Sequence, residues 1–268
     1  MTSWQAILLG ILQGITEFLP ISSSGHLVIV PHLLGWPEPG LALGALLHLG
    51  TLLAIVIYFW NDLWRLFQAG LKSLQRRSLA DPDARIAWGL VVGTIPGVVI
   101  GLLFEEMFEQ WFGMPKAAAA FLLVTAFLLT LSAFVGSRKR PMTSLSMIDA
   151  LVIGLAQSLA IAPGLSRSGT TISAGLLLGF RREDAARFSF LLAVPITLGS
   201  GAYEIIKLLS HGWGGAPIGT VLLGMAAAAV AGYLAIFGLL ALVRRHNLLV
   251  FAGYCAIFGL LVLTGILG

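Results

Sequence analysis

Two short polar stretches contain the residues that could do chemistry in this chain. The first is LPISSSGHLVIV at residues 19–30, just after Glu17, and the second is PGLSRSGTT at residues 163–171. Serines followed by a glycine are typical of helix starts, where free backbone N–H groups bind anions and glycine allows a phosphate to approach closely. Arg167 adds a guanidinium that matches phosphate oxygens. The two stretches therefore predict a phosphate-binding site.

The same residues also allow a purely structural interpretation. The serines could cap two broken helices, and Glu17 could form an ion pair with Arg167. An ionised Glu17 among apolar neighbours needs a cationic partner, which is either Arg167 or a bound divalent metal. Oxygen ligands shared with phosphates favour Mg²⁺ or Ca²⁺ over zinc. Because an isolated charge inside a membrane is costly, an Arg, a His and a Glu on two such stretches favour a functional site.

The composition sets the environment of this site. Of the 268 residues, 58% are hydrophobic and only 10% are charged, and the mean hydropathy is +0.95. A soluble domain needs a more charged surface, so the sequence predicts a polytopic membrane protein. The net charge is only +4, and the basic residues lie in short loops between apolar segments. This placement indicates the orientation of the chain in the membrane, and no nucleic-acid partner is expected. The single Cys255 excludes an intrachain disulfide and a cysteine metal site.

Apolar segments predict the membrane architecture. Two of them, about 4–36 and 146–180, are interrupted by the polar stretches and predict re-entrant helical hairpins, whose irregular backbone must be surrounded by protein or a wet cavity. Six uninterrupted segments are long enough to span: 41–60, 86–104, 116–136, 186–209, 216–243 and 247–267. Residues 61–80 are amphipathic and are expected on the cytoplasmic surface. His48 is assigned to packing or to a hydrogen bond within its span.

The chain also contains an internal repeat. At a constant offset of 144, matching pairs are Gln13 and Gln157, Ser22 and Ser166, Ser24 and Ser168, and Gly25 and Gly169. Repeats of about 1–136 and 145–268 within a single domain, 1–268, each contain one hairpin and three spans. Most Lys and Arg residues lie in loops that one topology places in the cytoplasm. Three spans is an odd number, so we expect an all-α fold with inverted-topology repeats whose hairpin tips meet near the membrane midplane.

These motifs resemble a known family, the bacterial undecaprenyl-pyrophosphate phosphatases of the bacitracin-resistance type. The family's first motif, (E/Q)xxxE, is Gln13-Gly14-Ile15-Thr16-Glu17 here, and its second motif, PGxSRSxxT, begins at Pro163. The stretches HLGTLLAIVIYF, GTIPGVVIG and FSFLLAVPITLGSG are also similar to the family. Many relatives have Glu where this chain has Gln13, which leaves one carboxylate for a metal instead of two.

The resemblance implies hydrolysis of a polyprenyl pyrophosphate, the C55 carrier lipid, to its monophosphate and inorganic phosphate. That reaction recycles the carrier for peptidoglycan synthesis and confers bacitracin resistance. The resemblance further implies an active site facing the periplasmic side of the bacterial inner membrane and dependence on a divalent cation. Membrane lipids are expected neighbours, and a homodimer is a further expectation.

On this basis we assign roles to the motif residues. Arg167, backbone N–H groups and a metal near Glu17 would neutralise the phosphoryl oxygens. Ser23 is the expected nucleophile with His26, three residues on, as its base. Direct attack by His26 and attack by metal-activated water are alternatives. The residues expected to bind or orient the substrate are Gln13, Ser22, Ser24, Gly25, Ser166, Ser168, Gly169 and Thr171.

A transporter or flippase for a lipid phosphate is the main rival, because inverted repeats with broken helices are also a transporter architecture. A transporter needs cationic and N–H groups for the phosphate but has no need of a hydroxyl beside the imidazole of His26. An ion channel is disfavoured, since no span has a polar stripe that could line a pore.

Overall fold

The computed structural model describes residues 1–36, 40–211 and 217–267, and within them the regular elements are helices. The α-helices are α1 (Ser3–Phe18), α2 (Ser23–Leu33), α3 (Gly40–Tyr58), α4 (Trp60–Arg76), α5 (Pro82–Leu103), α6 (Glu105–Phe112), α7 (Pro115–Phe134), α8 (Met147–Leu159), α9 (Arg167–Leu177), α10 (Arg182–His211), α11 (Ile218–Arg245) and α12 (Leu249–Leu263). One turn of 3₁₀ helix, Met142–Ser144, precedes α8. The all-helical expectation is confirmed for the described residues.

Four of these helices are long and apolar enough to cross a bilayer: α5, α7, α11 and the Arg182–Lys207 part of α10. A fifth candidate is the pair α3 and α4, which bends by 80° at Phe59. The chain is therefore a multi-pass membrane protein. The helix α3 turns into the amphipathic α4 where the amphipathic stretch 61–80 was expected, whereas α12, one of the six expected spans, has only 15 residues. Asp62 and Arg65 of α4 follow the apolar run of α3. Because such charges are costly inside a bilayer, the helix does not continue along the axis of α3.

Each hairpin is broken where its sequence disfavours helix. In the first, α1 ends at Phe18 because Pro20 biases Leu19 to the extended conformation that it adopts (φ −65°, ψ 138°). Ser22 then has a positive φ of 70° before α2 begins. In the second, Gly164 has a φ of 97°, and a β-carbon there would overlap the carbonyl of Ala118. Only glycine can occupy that position without strain.

The main core lies beside the first break. Phe18 and Phe190 are fully buried and pack edge to face, with ring centroids 5.4 Å apart. Phe59, at the bend between α3 and α4, joins them. Burying a side chain of this size contributes about 2 kcal/mol. This cluster fixes the end of α1 against α3 and α10, and so positions Glu17, the residue next to Phe18.

Candidate active site

The site is organised around the carboxylate of Glu17, near the end of α1. Arg167 Nη2 donates to Glu17 Oε1 at 2.6 Å. Ser23 Oγ donates to Oε2 at 2.6 Å, and Gln13 Nε2 donates to the same oxygen at 3.1 Å. His48 Nε2 lies 3.3 Å from Oε2. Both hairpins and α3 therefore converge on one carboxylate that is only 7% exposed. Since the guanidinium of Arg167 and the amide nitrogen of Gln13 can only donate, the arrangement favours ionised Glu17.

Arg167, the first residue of α9, is held in a fixed orientation. Its Nη1 donates to the carbonyl of Ser189 in α10 at 3.1 Å. Thr171 donates to the Arg167 carbonyl at 2.7 Å, and its hydroxyl lies 2.6 Å from that of Ser189. A guanidinium has five N–H donors, and two of them are used by Glu17 and Ser189. Three remain for an incoming phosphate.

The serines of the two tips form equivalent N-caps. Ser22 Oγ accepts from Gly25 N at 3.2 Å, and Ser166 Oγ accepts from Gly169 N at 3.0 Å. In each tip the capping hydroxyl lies 3.2 Å from that of the serine two residues on, which is Ser24 in the first tip and Ser168 in the second. These hydroxyls satisfy helix N-termini, as the structural interpretation expected. A role for them in binding a phosphate stays a prediction.

The two tips contact each other directly. A β-carbon on Gly25 would lie 3.0 Å from the Cα of Gly164, so glycine lets the two backbones approach closely. Ser168 Oγ donates to the carbonyl of Leu19 at 3.2 Å. Thr125 of α7 supports the second tip, since its hydroxyl donates to Gly164 O and accepts from Ser166 N, each at 3.0 Å. The breaks thus stabilise one another inside the protein.

The expected pair of Ser23 with His26 is not formed. His26 Nδ1 lies 2.7 Å from the Ser22 carbonyl, and because a carbonyl can only accept, Nδ1 carries the hydrogen. Nε2 lies 2.7 Å from the hydroxyl of Tyr254 and accepts from it in the neutral ring. The ring also lies nearly parallel to the rings of Tyr254 and Phe258, with centroid distances of 5.7 and 5.0 Å. Both ring nitrogens of His26 are therefore engaged by groups other than Ser23, and Glu17 occupies the place of the base.

Sequence reasoning missed three residues of the site. His48 does bond the carbonyl of Gly44 within its own helix, at 2.7 Å, but its second nitrogen faces Glu17. Ser189 and Tyr254 support Arg167 and His26 from α10 and α12. The one signal for His48 was a lone imidazole in an otherwise apolar span. Nothing in the local sequence marks the other two.

The donors around Glu17 do not fit a resident divalent cation. The part of the chain that the structure describes has no group of three or more His, Cys, Asp or Glu that could hold a metal. Glu17 Oε1 accepts from Arg167, and Oε2 faces donors on Gln13, Ser23 and His48. A cation at Glu17 would have to displace these donors and lie beside a guanidinium. The expectation that Glu17 is a metal ligand thus finds no support in its surroundings.

Comparison with known proteins places the chain in a family. The profile of the bacitracin resistance protein BacA matches residues 6–261. A protein of Thermomicrobium roseum named undecaprenyl-diphosphatase is 44% identical over 259 residues, covering 94% of this chain and 93% of the relative. One of Moorella thermoacetica with the same name is 45% identical over 251 residues, with the same coverage. This chain belongs to the family of the bacitracin resistance protein BacA.

Proposed function

We propose that the protein hydrolyses undecaprenyl pyrophosphate to undecaprenyl phosphate and inorganic phosphate. One observation carries this proposal: Ser23 donates to one oxygen of Glu17 while Arg167 binds the other, both at 2.6 Å. A hydroxyl bonded to a carboxylate has its proton acceptor in place. A guanidinium beside that pair has donors free for phosphoryl oxygens. The names of the relatives supply the substrate.

In this reaction Ser23 Oγ attacks the terminal phosphorus, and its proton passes to Glu17 Oε2. The bond from that phosphorus to the bridging oxygen breaks, and the lipid monophosphate leaves. Water then displaces Ser23 from phosphorus, and the proton held by Glu17 returns to Ser23 Oγ. Inorganic phosphate leaves with both hydrogens of the water. Arg167 neutralises charge on the phosphoryl oxygens in both steps. Stabilising that charge is the main way in which enzymes lower the barrier to phosphoryl transfer.

The architecture that we propose is the inverted repeat, with six crossings and the site reached from the periplasmic side of the bacterial inner membrane. Equivalent helix crossings support the repeat, and the basic loops support its inversion. A β-carbon on Gly10 of α1 would overlap the Gly224 carbonyl of α11, and one on Gly154 of α8 would overlap the Gly93 carbonyl of α5. Gly10 and Gly154 are related by the offset of 144, so each hairpin packs on the other repeat through the same position.

The same proposal covers the cellular role. A lipid diphosphate has a long apolar tail and a strongly anionic head, and a polar site between broken helices within a membrane protein suits both. Release of the monophosphate would return the carrier lipid to cell-wall synthesis. It would also remove the pyrophosphate form that bacitracin sequesters, which agrees with the name of the family.

The proposal includes a divalent cation, Mg²⁺ or Ca²⁺, bound to the diphosphate of the substrate. Phosphate oxygens are preferred ligands of both ions. No step is assigned to the cation, because the donors around Glu17 leave no evident ligand position for it.

The lipid-phosphate transporter is less well supported than the phosphatase. The argument that first separated them, a hydroxyl beside His26, no longer holds. The bond from Ser23 to Glu17 replaces it, since a carrier has no need of a hydroxyl hydrogen-bonded to a buried carboxylate.

Phosphate release tests the proposal. Detergent-purified protein is given undecaprenyl pyrophosphate, and inorganic phosphate is measured against time, with and without chelator. We expect release from the wild type and a loss on the order of 10²-fold in Ser23→Ala. Folded wild-type protein that releases no phosphate, with or without added Mg²⁺ or Ca²⁺, would contradict the proposal.

A further inference from the structure

His48 is the least expected member of the cluster around Glu17. It lies in α3, outside both polar stretches, among Leu47, Leu49 and other apolar residues. Its Nδ1 is 2.7 Å from the carbonyl of Gly44, one turn earlier in the same helix. Its Nε2 is 3.3 Å from Glu17 Oε2. The imidazole thus bridges the backbone of α3 and the carboxylate at the end of α1.

This bridge has a defined chemistry. The Gly44 carbonyl and Glu17 Oε2 are both acceptors, so donation to both requires the doubly protonated ring. Glu17 faces the His48 imidazole on one oxygen and the Arg167 guanidinium on the other. These two groups contact both oxygens of the carboxylate, which restricts its rotation.

The oxygen that faces His48 is also the one that receives the hydrogen bond of Ser23. Glu17 Oε2 lies 2.6 Å from Ser23 Oγ and 3.3 Å from His48 Nε2. Gln13 donates to it as well, and its own Oε1 is buried without a hydrogen-bond partner. The Gln13 amide can therefore offer Glu17 a hydrogen bond but no charge. Among the described groups at this oxygen, His48 alone belongs to α3, so it ties the carboxylate to that helix.

We infer that His48 is a positioning residue for the phosphoryl transfer, because it holds Glu17 Oε2 where that oxygen faces Ser23. The inference rests on the proposed phosphatase activity. His48 acts through Glu17 and is not itself placed on the substrate. Its side chain is 31% exposed, compared with 14% for Arg167, so changes at His48 remove less buried contact than changes elsewhere in the cluster.

The test compares variants that keep or remove the hydrogen-bond donor. His48→Gln keeps an N–H group within reach of Glu17, whereas His48→Leu removes it with a similar volume. We expect kcat to fall about tenfold or more in His48→Leu, with KM changed less than about threefold, and His48→Gln to recover most of kcat. His246→Ala, at the end of α11, is the matched control and should behave as the wild type.

A second readout reports on Ser23 without the lipid substrate. An organophosphorus reagent that phosphorylates serine should label Ser23, and the labelling rate should fall in His48→Leu by a factor similar to that in kcat. Thermal melts of each variant in detergent show whether it folds. A role in packing alone would lower the melting temperature and leave labelling of the folded protein unchanged.

The outcomes separate this inference from the proposed function. A wild type that releases no phosphate would overturn the phosphatase proposal itself. An active wild type with unchanged kcat and Ser23 labelling in folded His48→Leu would overturn only the role of His48. So would failure of both His48 variants to fold, since that result would assign the imidazole to the scaffold. Equal loss in the folded Gln and Leu variants would also contradict positioning by the donor.

Discussion

Ser23 Oγ donates to Glu17 Oε2 at 2.6 Å across the break in the first hairpin. In an unbroken helix two residues six positions apart would be separated by about 9 Å along the axis. The extended Leu19 and the positive φ of Ser22 turn the chain, so that the start of α2 faces the end of α1. The break in the helix therefore creates the contact between the hydroxyl and the carboxylate.

The first prediction concerns the nucleophile. Ser23→Ala should fold, because the helix cap is made by Ser22 and stays intact. Turnover should fall on the order of 10²-fold or more while the affinity for substrate changes little, since the lost group acts in the chemical step. Steady-state phosphate release and equilibrium binding of the lipid measure the two quantities.

Its control is Ser144→Ala, which removes an exposed hydroxyl that donates to the carbonyl of Pro141, far from Glu17 in the sequence and outside both hairpin tips. We expect a much smaller change there. Near-normal turnover in Ser23→Ala would transfer the attack to water or to His26.

The second prediction concerns Arg167, which could serve the scaffold or the reaction. Lysine keeps the charge that Glu17 needs but replaces a fork of parallel donors with one ammonium group. Arg167→Lys should therefore insert and fold. It should lose on the order of 10²-fold in turnover, which corresponds to about 3 kcal/mol. Affinity should fall less than turnover, because the additional charge on the phosphoryl oxygens develops only as the bond breaks.

Kinetics and a thermal melt on the same detergent preparation distinguish the two roles. Unchanged turnover would remove Arg167 from the reaction. A variant that no longer folds would assign the guanidinium to the structural ion pair with Glu17.

The contact between the two polar stretches was predictable from the sequence. A buried Glu17 needs a cation, and Arg167 lies in the only other interrupted apolar segment, so charge compensation brings the two hairpins together. The equivalent caps at Ser22 and Ser166 follow from the same local sequence, a serine three residues before a glycine.

The direction of the His26 ring could not be predicted in this way. Its spacing from Ser23 allowed a contact, but Tyr254, 228 residues away, and the Ser22 carbonyl determine where the ring points. His48 was missed for the same reason, because its partner Glu17 belongs to another helix. Pairings made in the tertiary structure leave no local signal. The bend near Phe59, by contrast, follows the change from an apolar to an amphipathic pattern in the sequence.

The third prediction concerns the ends of the second hairpin. Arg140 donates from both Nη atoms to Asp149 in the first turn of α8, at 3.1 and 2.6 Å. It also donates to the carbonyl of Leu178, just after α9, and its guanidinium lies 4.5 Å from the centre of the Phe180 ring. One side chain thus joins both outer ends of the hairpin.

Arg140→Ala should therefore destabilise the protein by about 2 kcal/mol, the usual contribution of hydrogen bonds to a charged group. The melting temperature in detergent should fall, and turnover of the folded fraction should fall less than in Arg167→Lys. Lys139→Ala, an exposed neighbour, serves as the control. Equal melting temperatures for the two variants would show that the contacts of Arg140 do not hold the hairpin.

The last prediction tests the inverted repeat directly. The two hairpins are preceded by Thr2 and by Lys139, both exposed. If the repeats are inverted, these two positions lie on opposite sides of the membrane, with Lys139 in the cytoplasm as its basic neighbours indicate.

Single cysteines are introduced at each position in a Cys255→Ala background, and a membrane-impermeant thiol reagent is added to intact spheroplasts. Cys255 is fully buried and bonds only weakly to the Pro20 carbonyl, so its replacement should be tolerated. We expect labelling at position 2 and protection at position 139 until the cells are lysed. Labelling of both positions in intact spheroplasts would show that the hairpins enter from the same side, and the equivalent crossings at Gly10 and Gly154 would then need a parallel repeat to explain them.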